Sequence, residues 1–306
     1  MKQIIKPMLM FADYYKHLPM IGLVLFLLAC IPREEPPEKV LVLEQIGELP
    51  AVLIENSGMT ALGDLIWFIN DGGNEAALYG YDREQDTVVR TVVVKNSINS
   101  DWEDISQNEN YIYIGDFGNN ASGNRTDLRI LIIDQSDLLA DIDTVTPSGI
   151  IAFHYEDQTD FTPMAENTSP YDCEAFIATE DSLFLFTKDW QSLQTRIYSL
   201  SIESGTQTAK FRKQWNVSGL ITAAAWSSEK QELFLLGYTP LFPFIWLYSG
   251  FSPEDLSFVK GNRTDFSNFF GTQTEGILIS ADGSIFISSE ESTTQKPAAL
   301  FTARFQ

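Results

Sequence analysis

Glu103, Glu174 and Glu275 each open a short run of small and apolar residues. Thirteen residues after each comes the polar end of a second run: Asp116, Thr187 and Ser288. Ser57 and Asn70 keep the same interval. If these positions converge, they supply carboxylates, hydroxyls and an Asn carbonyl. Such an all-oxygen set suits calcium better than zinc or copper. Crowded carboxylates also hold their protons more tightly, which suits general acid or base work. Asp116, Glu174, Lys188 and Glu290 are the residues expected to carry any catalytic step. Lys188 either balances Asp116 or Glu174 or binds an anionic group. Arg125 follows the turn-rich loop "GNNASGN" and can clamp an anion or carboxylate. With Asn120, Lys188 and Tyr238 it makes the expected ligand-binding set. The plain alternative is a wet channel whose acids are simply solvated.

The elements that must position these residues are strands. Helical periodicity is nearly absent, and short alternating or apolar runs recur between Gly, Asn, Asp and Ser. Five segments share one pattern: "NSGMTALGDLIWFIND" from Asn56, "WEDISQNENYIYIGD" from Trp102, "CEAFIATEDSLFLFTK" from Cys173, "ITAAAWSSEKQELFLLGY" from Ile221 and "TEGILISADGSIFISSE" from Thr274. Each is a strand of small residues, a polar turn and a strongly apolar strand; the fourth copy has a longer turn. Two more strand segments follow each copy, ending with "LSFVKG" from Leu256 after the fourth and "AALFTARF" alone after the fifth. "KVLVLEQI" at Lys39–Ile46 can supply the missing outer strand, as a ring without an exposed edge requires.

The expected fold is therefore all-β: a β-propeller of five four-stranded blades spanning 39–306, closed by the strand at 39–46. Six blades are the alternative, if Asp134–Pro170 holds another. In a propeller the first strand of each blade lines the axis, and the second returns beside its start. The starts (Asn56/Ser57, Glu103, Glu174, Thr222, Glu275) and ends (Asn70/Asp71, Asp116, Lys188, Tyr238, Ser289/Glu290) then ring one mouth. Glutamates ~6 Å apart there would repel by about 3 kcal/mol per pair at an effective dielectric near 20, so water, protonation, Lys188 or a cation must offset them. Trp102 is expected as a wedge between blades. Cys173 should face the core, opposite to Glu174. "PLFPFIW" from Pro240 reads as a strand with a buried bend or as an exposed contact patch.

The first 29 residues stand apart. Lys2, Lys6 and Lys16 precede "LPMIGLVLFLLA", which is too short to span a bilayer and right for a signal-peptide core. Ala29–Cys30 resembles the bacterial lipoprotein cleavage box, which implies that Cys30 is lipidated; a plain secretory signal is the alternative. Residues 30–38 then form a Pro-rich charged tether. Ile31 after the Cys resembles outer-membrane sorting, and "REE" at Arg33–Glu35 resembles an export tag for surface lipoproteins. The expected location is the outer membrane, facing the periplasm or the cell surface. Removing the leader, with its three Lys and Asp13, takes the formal charge from −22 to −24. That surface repels nucleic acid. Past the leader His154 is the sole histidine, so a His-rich zinc site is poorly supported.

"DWEDI…YIYIGDFGNN…R", "DCEAF…LFLFTK", "ITAAAW" and "TEGILISADGSIFISSE" resemble a group of poorly characterised bacterial propeller lipoproteins. Their signature resembles D-W-E-D-I-A, G-D-I-G-D-N, D-x-E-A, T-K and E-G-I. More distantly, acids around a channel mouth resemble the phytase-like and calcium-dependent apyrase propellers. That resemblance implies calcium near the axis on Glu103, Glu174 and Glu275. Asn119 departs from the Asp of the signature, and basic residues to hold phosphates are few. The expected function is a membrane-anchored module that binds a small molecule or protein through its acidic mouth, with bound calcium. The alternative is a calcium-dependent hydrolase of phosphoesters or lactones using the same mouth.

Overall fold

Alternating side chains and tight polar turns break the chain into strands a few residues long. The computed structural model describes residues 41–292 and 296–305. The leader, Cys30, the tether and the first two residues of the strand expected from Lys39 lie outside the described residues. β1 spans Leu41–Glu48. The first meander follows: β2 (Asn56–Leu62), β3 (Leu65–Asn70), β4 (Ala77–Asp82) and β5 (Thr87–Val94). β2 and β3 are joined by Gly63–Asp64, with Gly63 at φ 63°, the left-handed conformation that such two-residue turns require. The second meander is β6 (Trp102–Gln107), β7 (Tyr111–Asp116), β8 (Arg129–Asp134) and, after helix α1 (Gln135–Leu139) and β9 (Thr144–Val145), β10 (Gly149–Tyr155). The third is β11 (Cys173–Ala178), β12 (Ser182–Thr187), β13 (Gln194–Ser201) and β14 (Gly205–Asn216). The fourth is β15 (Leu220–Ser227), β16 (Glu232–Tyr238), β17 (Pro243–Ser249) and β18 (Lys260–Asp265). Last come β19 (Thr274–Ile279), β20 (Ile285–Ser289) and β21 (Ala299–Phe305). β1 pairs antiparallel with β21, from Leu41 opposite Phe305 to Glu48 opposite Ala299.

One expectation needs correction here. The outer strand of the fourth meander is "KGNRTD" at Lys260–Asp265 rather than "LSFVKG" from Leu256. An outer strand with no fully buried residue needs no apolar run, and Leu256 itself sits in a turn at φ 54°. The stretch Asp134–Pro170 holds α1, β9 and β10, with β10 serving as the outer strand of the second meander. Among the described residues no helix is long and apolar enough to cross a membrane.

The buried side chains explain why the second strands are apolar throughout. They fall into five clusters. Each cluster lies between one meander and the next, and one joins the last meander to the first. Along β7, Tyr113 enters the cluster shared with the third meander, while Ile112 and Ile114 enter the cluster shared with the first. A strand packed on both faces shows no polar alternation. Trp102 is fully buried in the cluster between the first and second meanders. The first strands β2, β6, β11, β15 and β19 each touch the next, and β19 touches β2, closing a ring.

Side chains tie these inner strands together. Asp104 accepts hydrogen bonds from the backbone N–H of Ile105 (2.8 Å), Phe176 (3.0 Å) and Ala224, so one carboxyl bridges β6, β11 and β15. Ser106 Oγ accepts from Ala178 N at 2.9 Å. Thr222 Oγ1 donates to the Thr274 carbonyl at 2.6 Å. Asp104→Ala would leave three buried N–H groups without an acceptor, at about 1–3 kcal/mol each. The variant should lose about 3 kcal/mol or more of unfolding free energy, read from its urea midpoint. Asp104→Asn keeps an acceptor oxygen and should lose less than half as much; equal losses would contradict the bridging role.

Candidate functional site

The pairing of each first strand with its second is interrupted at one place, and it is the same place five times. The ladders skip from Asn56 to Gly58, Trp102 to Asp104, Cys173 to Ala175, Ile221 to Ala223 and Thr274 to Gly276. The extra residues of these bulges are Ser57, Glu103, Glu174, Thr222 and Glu275. A bulge leaves one residue unpaired and re-aims its side chain. Repeated around the ring, it turns polar side chains toward the axis at one end.

Four of the five bulged residues line one cavity of about 180 Å³: Ser57, Glu103, Glu174 and Glu275. The ends of the second strands contribute Asp71, Lys188, Tyr238 and Glu290, and loops add Asn120, Glu166 and Trp190. Thr222 does not reach it; its hydroxyl is engaged with the Thr274 carbonyl. The three glutamates expected at the axis are thus brought together, and Asn120, Lys188, Tyr238 and Glu290 with them.

Asp116 and Arg125 stand apart from this lining. Asp116 is fully buried, accepting from Arg125 Nη2 at 2.9 Å and from Arg129 Nη2 at 2.8 Å. Both carboxylate oxygens are engaged by guanidiniums outside the cavity, so Asp116 positions the two arginines. Arg125 in turn bonds Asp127 and the Gly118 carbonyl, and its Nη1 lies 3.8 Å from Asp101 Oδ2, so its charge faces these acids rather than an external anion. That loop is pressed against the acids: a Cβ on Gly118 would come within 2.0 Å of Glu103 Oε1 and 2.5 Å of Asp101 Oδ2. Cys173 is buried in the apolar cluster between the second and third meanders.

Lys188 is the cavity's own cation. Its Nζ lies 3.0 Å from Glu174 Oε2, 4.9 Å from the centre of the Trp190 ring and 5.2 Å from that of Tyr238. Burial works against its charge, but Glu174, Tyr238, Glu275 and Asp172 outweigh it and raise its pKa. The acids move the same way. Burial, with the neighbouring carboxylates, pushes Glu174 and Glu290 up to about 7. Burial raises Asp71 to about 6, and raises Asp101, beside Asp71, to about 7. Glu103 and Glu275 are raised well above the usual carboxylate range by burial and by the same neighbours. Among the described residues no hydrogen-bond donor reaches either of them.

Two further acids were not singled out by the repeat. Asp172 accepts from Asn119 N and from Trp190 Nε1, both at 2.7 Å, and shares a carboxyl–carboxyl hydrogen bond with Glu174. Asp101 contributes to a set with Asp71 and Glu103 in which one oxygen of each lies within 4.8 Å of the others. Asp101-Trp102-Glu103 and Asp172-Cys173-Glu174 repeat one D-x-E spacing, the signal in the sequence that marks both. The Asn56 side chain donates to the carbonyls of Leu53 and Ser289, both at 2.9 Å, which fixes its amide. Asn56 and Ser57 both line the cavity, and the Asn56 Oδ1 and the Ser57 hydroxyl are buried without partners. Acceptor oxygens and crowded carboxylates around a small polar space are a set that can hold an oxygen-preferring cation.

No protein-family model matches the chain, and no curated protein matches it. Among solved structures, the chain is similar to a glucose dehydrogenase at TM-score 0.51 and 8% identity, over 85% of this chain and 98% of that one. It aligns with the PQQ-bound form of aldose sugar dehydrogenase from Streptomyces coelicolor at TM-score 0.46 and 9% identity, over 88% and 100%. It also aligns with the Swd1 β-propeller domain of Myceliophteria thermophila at TM-score 0.40 and 10% identity, over 85% and 99%. At 8% identity the likeness to the glucose dehydrogenase is one of fold.

The raised acids set a pH dependence. Their ordinary values are 3.8 and 4.5, and Asp71, Asp101, Glu174 and Glu290 rise to about 6 or 7 in the folded chain. Between those limits the folded state binds protons that the unfolded chain has released, so stability is lost as pH rises through the window. The melting temperature of the metal-free protein should fall from about pH 4.5 to about pH 7, and Glu174→Gln should flatten the slope. A melting temperature that climbs across this range would contradict the raised values.

Proposed function

We propose that this chain is a five-bladed propeller closed by β1, and that it binds ligands at its mouth around a calcium ion. The observation that carries the calcium reading is the pair of unpartnered oxygens, Asn56 Oδ1 and Ser57 Oγ, on the wall that also holds Glu103 and Asp71. Asp71, Asp101 and Glu103, which each offer an oxygen within 4.8 Å of the others, are the residues that would hold the ion. The donor set is all oxygen, since Cys173 is buried in the core and the His154 ring bonds Thr208. That chemistry favours calcium over zinc or copper. When bound, the ion would supply two positive charges against the acids. The leader, the Ala29–Cys30 junction and the tether support a lipid-anchored location in the outer membrane.

A second reading rests on the Asp172–Glu174 pair. Glu174 at about 7 is poised to take a proton from water near neutral pH, with Lys188 fixing its carboxylate. In a hydrolase these residues would orient and deprotonate the attacking water. The binding reading is preferred because no further buried cation is placed to hold a phosphate among the described lining residues.

Calorimetric titration with calcium should show saturable binding, with a rise in melting temperature that follows occupancy. Glu103→Gln should weaken that binding by about tenfold or more, since it removes a charged ligand from the set. Absence of both binding and thermal shift would overturn the calcium assignment. Calcium-dependent turnover of a phosphoester or lactone panel, lost in Glu174→Gln, would favour the second reading. Cys30→Ser should move the protein from the membrane to the soluble fraction on cell fractionation; an unchanged membrane fraction would contradict the anchor.

A further inference from the structure

The rim of the cavity is not uniformly polar. Antiparallel order places three loops at the same end as the cavity: 217–219 between the third and fourth meanders, 239–242 within the fourth, and 266–273 between the fourth and fifth. These three loops contain no charged residue, although the chain as a whole is strongly acidic. Leu241 is 53% exposed and Phe270 58% exposed. The backbone ties the two loops together, Gly271 N donating to the Leu241 carbonyl at 3.0 Å. Both loops run directly into the cavity wall. Tyr238 precedes one, and Gln273 ends the other just before Glu275. An apolar ledge therefore adjoins the acid lining, its backbone held by Lys296, which donates to the Phe270 carbonyl and to Thr272 Oγ1, and by Arg263, which donates to the Val217 and Ser218 carbonyls.

The size of the cavity limits what can enter. About 180 Å³ is below the roughly 300–1,000 Å³ of sites that enclose whole small ligands. It accommodates one side chain. Lys188 shows what kind: its ammonium rests against Glu174 between two aromatic rings. Glu275, 8% exposed and without a hydrogen-bond donor among the described residues, is a second carboxylate aimed into the space.

Resting on the reading of the mouth as a binding site, we infer that its ligand is a segment of a partner protein. One basic side chain of that segment enters toward Glu275 and Glu290, and an adjoining apolar residue lies on the Leu241–Phe270 ledge. Charge complementarity selects the basic group, and the ledge selects its neighbour.

The test uses the full calcium-loaded chain and three peptides: acetyl-Gly-Lys-Leu-Phe-Gly-amide, the same peptide with Glu for Lys, and the same with Ser-Ser for Leu-Phe. The first should bind about tenfold or more tightly than either of the others, by calorimetry. The double variant Leu241→Ser, Phe270→Ser should bind the first peptide no better than the Ser-Ser peptide, with calcium affinity unchanged. Glu275→Gln should weaken both Lys peptides. Equal binding of all three peptides, or none with calcium binding intact, overturns this inference alone. Loss of calcium binding in the wild-type chain overturns the calcium reading instead, and peptide selectivity surviving without calcium keeps the ledge and removes the ion.

Discussion

Everything in this molecule depends on strands that are buried on both faces. β3, β7, β12, β16 and β20 lie between neighbouring meanders, with alternate side chains feeding two different apolar clusters. No meander could hide such a strand alone. Burying a single Phe or Ile gains about 1.5–3 kcal/mol, and each cluster collects a dozen or more apolar side chains from two meanders. The clusters are satisfied only when the last meander meets the first. Closure is thus a condition of the hydrophobic core, and the central ring follows from it.

The ring then imposes an electrostatic burden at one end. The bulges turn Glu103, Glu174 and Glu275 toward a shared space, and Asp71, Asp101, Asp172 and Glu290 crowd beside them. Lys188, Arg125 beside Asp101 and a few polar hydrogen bonds stand against that number of acids. Burial and mutual repulsion both favour the protonated forms, which is why the shifts all run upward. A fold optimised for stability alone would place apolar or uncharged side chains here. The arrangement makes physical sense where a positively charged group enters from outside.

Much of this was legible in the sequence, because the repeat carries its own periodicity. The small-residue strand, polar turn and apolar strand recur clearly enough to place β2 and β3, and their four counterparts, within a residue or two. The glutamates were legible as a convergent set for the same reason. The bulge was not, since a one-residue offset in pairing leaves no mark in composition; the interval counted along the chain joins Glu103 to Asp116, while the ladder pairs Trp102 with Asp116. Asp116 and Arg125 were placed at the mouth by spacing, but spacing does not reveal that Arg129, thirteen residues after Asp116, reaches back to hold it. "KGNRTD" was missed as a strand because its pairing rests on backbone hydrogen bonds to β17 and not on buried side chains. β9 was missed because two residues carry no periodicity at all.

The outer rim is stitched unevenly. β10 runs parallel to β14 from Ile151 opposite Gly205 to Tyr155 opposite Ala209, fusing the second and third meanders into a single eight-stranded sheet. β9, from the segment that precedes β10, pairs with β5 and so fastens the first meander to the second. Among the described residues no such backbone ladder spans the junctions on either side of the fourth meander. Those junctions rely on side-chain packing, which yields more gradually than a hydrogen-bonded ladder. Main-chain ladders therefore lock the first three meanders to one another, while the fourth, which carries Leu241, is held to the third by side chains such as Arg212, Lys213 and Arg263 reaching across to carbonyl groups.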